Sequence, residues 1–177
     1  MPPIRKGDGT PVEPKGVSQI RTGDGRILFD GPGIPDTRVS RPEDEDNLTD
    51  FDNQFGIEVS VSQDWPDFDG RISANVSGFS TAYIFEQDET QIASVDISGL
   101  SNGDVFTFEG VDLKNGNNYL LAIDNDGANY DPGFYDPDEG ELPFVSDDGN
   151  LEIVGGVNIG GSTGALYNIV EVGNLTD

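Results

Sequence analysis

The chain has 177 residues and 18.9 kDa, room for one domain and an appendage. Acidic residues number 34 against nine basic ones, a net charge of −25, and there is no His and no Cys. That composition excludes a nucleic-acid binder working through phosphate contacts, which needs a basic face. It also excludes Cys or His nucleophiles, imidazole acid–base chemistry, zinc sites built on Cys or His, and disulfide frameworks. No apolar run approaches the roughly 18 residues of a membrane span. The opening MPPIRKGDGT lacks the apolar core of a secretory signal.

Charge and proline divide the chain near residue 45. Residues 1–45 hold seven of the nine basic residues (Arg5, Lys6, Lys15, Arg21, Arg26, Arg38 and Arg41) against eight acids, and seven of the eleven prolines. Residues 46–177 hold only Arg71 and Lys114 against 26 acids, a net of −24. The expectation is an extended arm over residues 1–45 and an acidic globular domain over 50–177. Carboxylates at that density repel one another in dilute buffer. At molar salt the Debye length falls to ~3 Å and the repulsion is screened. The composition therefore implies dependence on high K+ or Na+.

The arm contains a repeat. Ile4-Arg5-Lys6-Gly7-Asp8-Gly9 recurs as Ile20-Arg21-Thr22-Gly23-Asp24-Gly25, followed by Arg26-Ile27-Leu28-Phe29. Each copy reads as a short apolar–basic strand entering an Asp-Gly turn. Two strands of this length cannot bury a core alone. Ile4, Arg5, Ile20, Arg21, Ile27, Leu28 and Phe29 are therefore the candidate assembly residues. Their target is the acidic domain, another copy, or a different protein. The run from Asp30 to Pro35 suits an extended link. A phosphate or cation loop is the rival reading of G-D-G, but no helix follows to hold a phosphate.

The second unit reads as all-β. Strand candidates fall at 55–61, 71–76, 81–85, 91–97, 105–108, 119–123, 150–154 and 166–172, several alternating apolar and polar residues, as in Ile57-Glu58-Val59-Ser60-Val61. Ser77-Gly78, Asn102-Gly103, Asn115-Gly116 and Asp148-Gly149 mark turns between them. Eight short strands at this spacing predict a jelly-roll-like β-sandwich behind the extended arm. Trp65, Phe79, Phe85, Phe106 and Phe108 are its core candidates. Residues 155–164, rich in Gly and Ser, read as a loop or an inserted β-turn.

Two features could carry chemistry. Asp124-Asn125-Asp126-Gly127 is followed by Asp131, Asp136, Asp138 and Glu139. Oxygen ligands at alternating positions before a Gly suit a hard cation such as Ca2+ or Mg2+. Asp124, Asp126 and Asp131 are the candidate ligands, although the later ligands of an EF-hand loop are missing at the right spacing. A solvated acidic loop is the alternative. In the same loop stand Tyr130, Phe134 and Tyr135, with Trp65 and Phe68 in another. Such rings either stack on sugars or close their loops onto the sandwich edge. A glycosidase needs two carboxylates at a set separation, and no pair stands out from the acidic background. The expectation is a non-enzymatic protein. Asn47, Asn75 and Asn174 begin N-x-Ser/Thr triplets.

Residues 17–30, from Val17 through Ile20-Arg21-Thr22-Gly23-Asp24-Gly25-Arg26-Ile27-Leu28-Phe29 to Asp30, with Ile34-Pro35-Asp36 beyond, resemble an N-terminal arm. That arm belongs to structural proteins of tailed viruses and proviruses of halophilic archaea. Residues 65–172, including Asp96-Ile97-Ser98-Gly99-Leu100 and Tyr167-Asn168-Ile169-Val170, are similar to β domains in the same setting. The resemblance implies a virion protein joined to other virion proteins through residues 1–45, homo-oligomeric, with its acidic domain outward. Capsid decoration, turret and tail fibre all fit, as does attachment to host cell-surface glycans. It supplies no catalytic residues.

Overall fold

The computed structural model describes residues 19–21, 27–30, 37–42, 54–72, 79–124, 135–160, 165–166 and 168–175. The chain forms two compact units, Met1–Asp36 and Thr37–Asp177. In the first, β1 (Gln19–Arg21) and β2 (Ile27–Asp30) pair antiparallel, with Ile20 opposite Phe29 and Arg21 opposite Ile27. The strands flanking the second copy's Asp-Gly thus pair with each other, and residues 22–26 between them lie outside the described residues. Leu28 is the extra residue where the register shifts. Ile4 and Arg5 lie outside the described residues.

The second unit is all-β, with no helix among the described residues. Its strands are β3 (Arg38–Ser40), β4 (Phe55–Val61), β5 (Trp65–Ile72), β6 (Thr81–Glu86), β7 (Gln91–Asp96), β8 (Val105–Leu113), β9 (Asn118–Ile123), β10 (Phe144–Val145), β11 (Leu151–Asn158) and β12 (Ile169–Gly173). They form a six-stranded sheet, β10-β11-β4-β9-β6-β7, and a four-stranded sheet, β3-β12-β5-β8, both antiparallel. Most successive strands change sheets, which is how a Greek-key sandwich is wound. Alternate residues face inward, so Ile57, Ile84, Leu121 and Ile153 of the large sheet meet Phe68, Phe108, Ile169 and Val172 of the small one in a single apolar core. The expected β-sandwich is the fold.

The boundary between the units differs from the one expected. Residues 37–42, read from the sequence as part of the arm, belong to the sandwich. β3 pairs with β12, Val39 is buried in the core, and Arg41 is buried with its Nε–H donating to the Ile169 carbonyl at 2.8 Å. The three residues of β3, flanked by Pro35 and Pro42, are too few to show a period. With the boundary at residue 36, the arm carries five basic and five acidic residues and is neutral. The body carries four basic against 29 acidic residues, so the whole −25 resides there.

Two strands run further than alternation suggests. β11 continues through Gly155 and Gly156 to Asn158, where the sequence reads as a loop. Gly156 serves close approach: a Cβ there would lie 1.7 Å from the Ala165 carbonyl oxygen. β5 begins at Trp65, ahead of the expected 71–76, and takes in Pro66. Gly70 in that strand makes room for the Phe106 ring, which would lie 2.5 Å from a Cβ. Asn102-Gly103, Asn115-Gly116 and Asp148-Gly149 all turn with glycine in the left-handed region.

Candidate functional site

Trp65 was expected either in the core or on a sugar-binding loop, and the structure places it in the core. It is 5% exposed, with its ring edge-on to Phe68 at 5.9 Å, and it offers no face to solvent. Tyr135 likewise closes the sandwich rather than standing out from it. Its N–H donates to the Leu166 carbonyl at 2.9 Å, the reciprocal bond is 2.8 Å, and its half-buried ring lies 6.0 Å from Phe144. The Tyr135 hydroxyl donates to the Glu141 carboxylate. That bond, with a second from the Asp138 N–H, holds Glu141 below the usual carboxylate range. Tyr130, Phe134, Asp126 and Asp131 lie outside the described residues.

Asp124 is tied to the large sheet. Its N–H donates to the Thr81 carbonyl at 2.8 Å, and the Tyr83 hydroxyl donates to its Oδ2 at 3.4 Å. Among the described residues no group of three or more acidic side chains is arranged to hold a metal ion.

The two sandwich faces turned away from the core differ. On the small sheet the polar groups are spent on one another. Arg71 Nε donates to Glu171 at 2.8 Å, and Arg38 lies 4.0 Å from the same carboxylate. Asp69 is buried, accepting from the Thr107 hydroxyl and from the Leu175 N–H at 3.1 Å. Buried carboxylates need such donors, and these pin the segment after β12 against β5.

The large sheet's outer face is built in three rows. The register puts Tyr83, Ala122, Gly56 and Val157 side by side, then Phe85, Leu120, Glu58 and Gly155, then Asn118 beside Ser60, with Gln87 just beyond the end of β6. Phe85, Leu120, Ala122 and Val157 form a second apolar cluster, distinct from the main core, with Tyr83 and Ile159 packed against it. Phe85 is thus buried as the sequence suggests, but on the outer face. Tyr83 stacks on Phe85 at 5.8 Å with 26° between the rings. Beside this cluster, Glu58 Oε1 accepts from Asn118 Nδ2 at 2.8 Å and from Gln87 Nε2 at 3.3 Å. Glu58 Oε2 faces Gly155, where a Cβ would lie 3.7 Å away.

Sequence reasoning missed this patch. Alternation marks Glu58, Asn118 and Tyr83 as outward on their own strands. Strand order, which brings residues 58, 83 and 118 together, has no local signal.

At the sandwich margin, the turn between β10 and β11 grips the first residue of the body. Asp148 accepts from the Thr37 hydroxyl, from Ser146 Oγ at 2.8 Å, from Asn150 Nδ2 at 2.8 Å and from the Asn150 N–H at 3.1 Å. Desolvation works to raise its pKa. The bonds from Thr37, Asn150 and Ser146 together outweigh that and hold it at about 2. Comparison with family models, curated proteins and solved structures finds no match to this chain.

Proposed function

We propose that the protein is a non-enzymatic virion structural protein, anchored to the particle through its arm and presenting its sandwich to concentrated brine. The observation that carries this reading is the partition of charge at residue 36. A neutral arm can dock on a partner without opposing the field of its own body. A body of −25 keeps other bodies at a distance until salt screens it. The arm's paired strands, too short to bury a core, need a surface supplied by another copy or another virion protein. Capsid decoration, turret and tail-fibre component all fit such a design. The chain would be assembled in the host cytoplasm and exposed outside the cell on the particle.

The test is deletion of residues 1–36, followed by light scattering and by incorporation into particles in molar KCl. Because the arm is neutral, the deletion leaves the net charge at −25. Loss of assembly is then not a charge effect. A monomer that no longer joins particles is the expected result, and normal assembly without the arm overturns the reading. The outer-face patch of the large sheet favours a second reading, a module that recognises host cell-surface glycans. Neither reading requires Ca2+ or Mg2+.

A further inference from the structure

We infer that the outer face of the six-stranded sheet binds an uncharged oligosaccharide, held by Glu58, Gln87, Asn118 and the ring of Tyr83. The inference rests on the glycan-binding reading and is independent of the arm.

A sugar presents apolar C–H faces and a rim of hydroxyls that both donate and accept. Its site therefore needs a ring to lie on and planar polar groups with spare valence. Tyr83 supplies the ring. It is partly exposed, backed by the buried Phe85 and anchored through its hydroxyl to Asp124, so little freedom is lost when a ligand settles on it. Glu58 supplies the acceptor. Asn118 and Gln87 both donate to its Oε1, which fixes the carboxylate plane and leaves Oε2 with no hydrogen bond among the described residues. Gly155 brings no side chain against that oxygen, since a Cβ there would lie 3.7 Å from it. Asn118 and Gln87 each keep an amide oxygen and a second N–H for further hydroxyls.

The spacing suits a short chain of sugars. Tyr83 and Glu58 lie two strands and one row apart, about 10 Å across the sheet and about 7 Å along it, the reach of two or three linked rings. Charge narrows the class. A uronate or sulfate seated against Glu58 would set two anions in contact, at the ~3 Å Debye length of molar salt where screening is weakest, so neutral sugars are favoured.

The experiment is calorimetric titration of the full-length protein in molar KCl with mannohexaose, cellohexaose and, as the anionic control, hexagalacturonate. At least one neutral hexamer binds, and hexagalacturonate does not. Asn118→Ala and Glu58→Gln each weaken binding by about tenfold, the equivalent of one lost hydrogen bond. Gly155→Ala places a methyl at ordinary contact distance from Oε2, so it covers the acceptor without straining the fold. It weakens binding similarly at an unchanged melting temperature. If no hexamer binds, or if the anionic one binds as well as the neutral ones, this site falls and the arm reading stands. If binding persists undiminished in all three variants, the site is wrong while glycan binding survives elsewhere on the protein.

Discussion

The described strands of the arm, β1 and β2, are three and four residues long, whereas the body's strands reach nine residues and close two sheets over one core. Residues 1–36 are neutral, and the body holds the entire net charge. The difference separates two physical tasks within one chain. Folding is done by residues 37–177, where apolar rows on both sheets remove enough surface from water to offset chain entropy. On the proposed reading, contact with other proteins falls to the arm, where β1 and β2 are too short to bury a core between them.

The sharpest way to break this comparison is to cut at two nearby points. Removing residues 1–36 takes away none of the sandwich, so the melting temperature should stay within a few degrees of the full chain. Removing residues 1–40 also takes away β3. Val39 then leaves the core, β12 loses its outer partner and Asp148 loses the Thr37 hydroxyl. Burial of the valine alone is worth about 2 kcal/mol, and the lost ladder bonds add to it. We expect the longer deletion to cost about 3 kcal/mol or more, read by denaturant titration in molar KCl. Equal stability for the two truncations would mean that the body begins later than Thr37.

How much of this was legible in the sequence depended on distance along the chain. The strand at 55–61 is observed to the residue, because Ile57, Val59 and Val61 alternate with Glu58 and Ser60 without interruption. β3 escaped because a strand of three residues shows no period. The first half of β5 escaped because Pro66 and the buried Asp69 read as loop. Asp69 is tolerated only because Thr107 and Leu175, 38 and 106 residues away, donate to it. The site obeys the same rule. Asp124 and Tyr135 were singled out by local clustering, and both prove tied into the sandwich. Glu58, Gln87 and Asn118 carried no local mark, because only strand order brings them into one patch.

Salt sharpens the comparison next. Native packing brings the body's carboxylates closer together than an expanded chain does, so weak screening costs the folded state more. Dialysis from ~1 M to ~0.01 M KCl lengthens the Debye length from ~3 Å to ~30 Å. The melting temperature, followed by circular dichroism, should fall steeply over that range. The full chain and the chain lacking residues 1–36 should fall in parallel, since the arm adds no net charge. Protonating carboxylates by lowering the pH toward the pI of about 4.1 should restore part of the loss at low salt. A melting temperature indifferent to ionic strength would remove electrostatics from the account of the body.

The smallest expected effect lies at the first residue of the body, at the bonds around Asp148. Its folded pKa of about 2 is below the ordinary carboxylate value of about 3.9 in an unfolded chain. A depressed acid stabilises the fold fully above the unfolded value, and the contribution disappears as the pH falls through the folded value. The window is therefore about pH 4 down to about pH 2. Asp148 is largely solvent-facing, so screening trims its contribution to about 1 kcal/mol or less. Relief of carboxylate repulsion acts in the opposite direction over the same acid range, so the wild type alone cannot isolate this group. The difference between wild type and Asp148→Asn can, because both share the remaining charges. At pH 6 in molar KCl the variant should be slightly less stable, and the gap should close as the pH approaches 2. Thr37→Val should reproduce part of that gap, because it removes the donor at the first residue of the body. A gap that holds constant between pH 6 and pH 2 would show that the turn between β10 and β11 holds Thr37 without using the charge of Asp148.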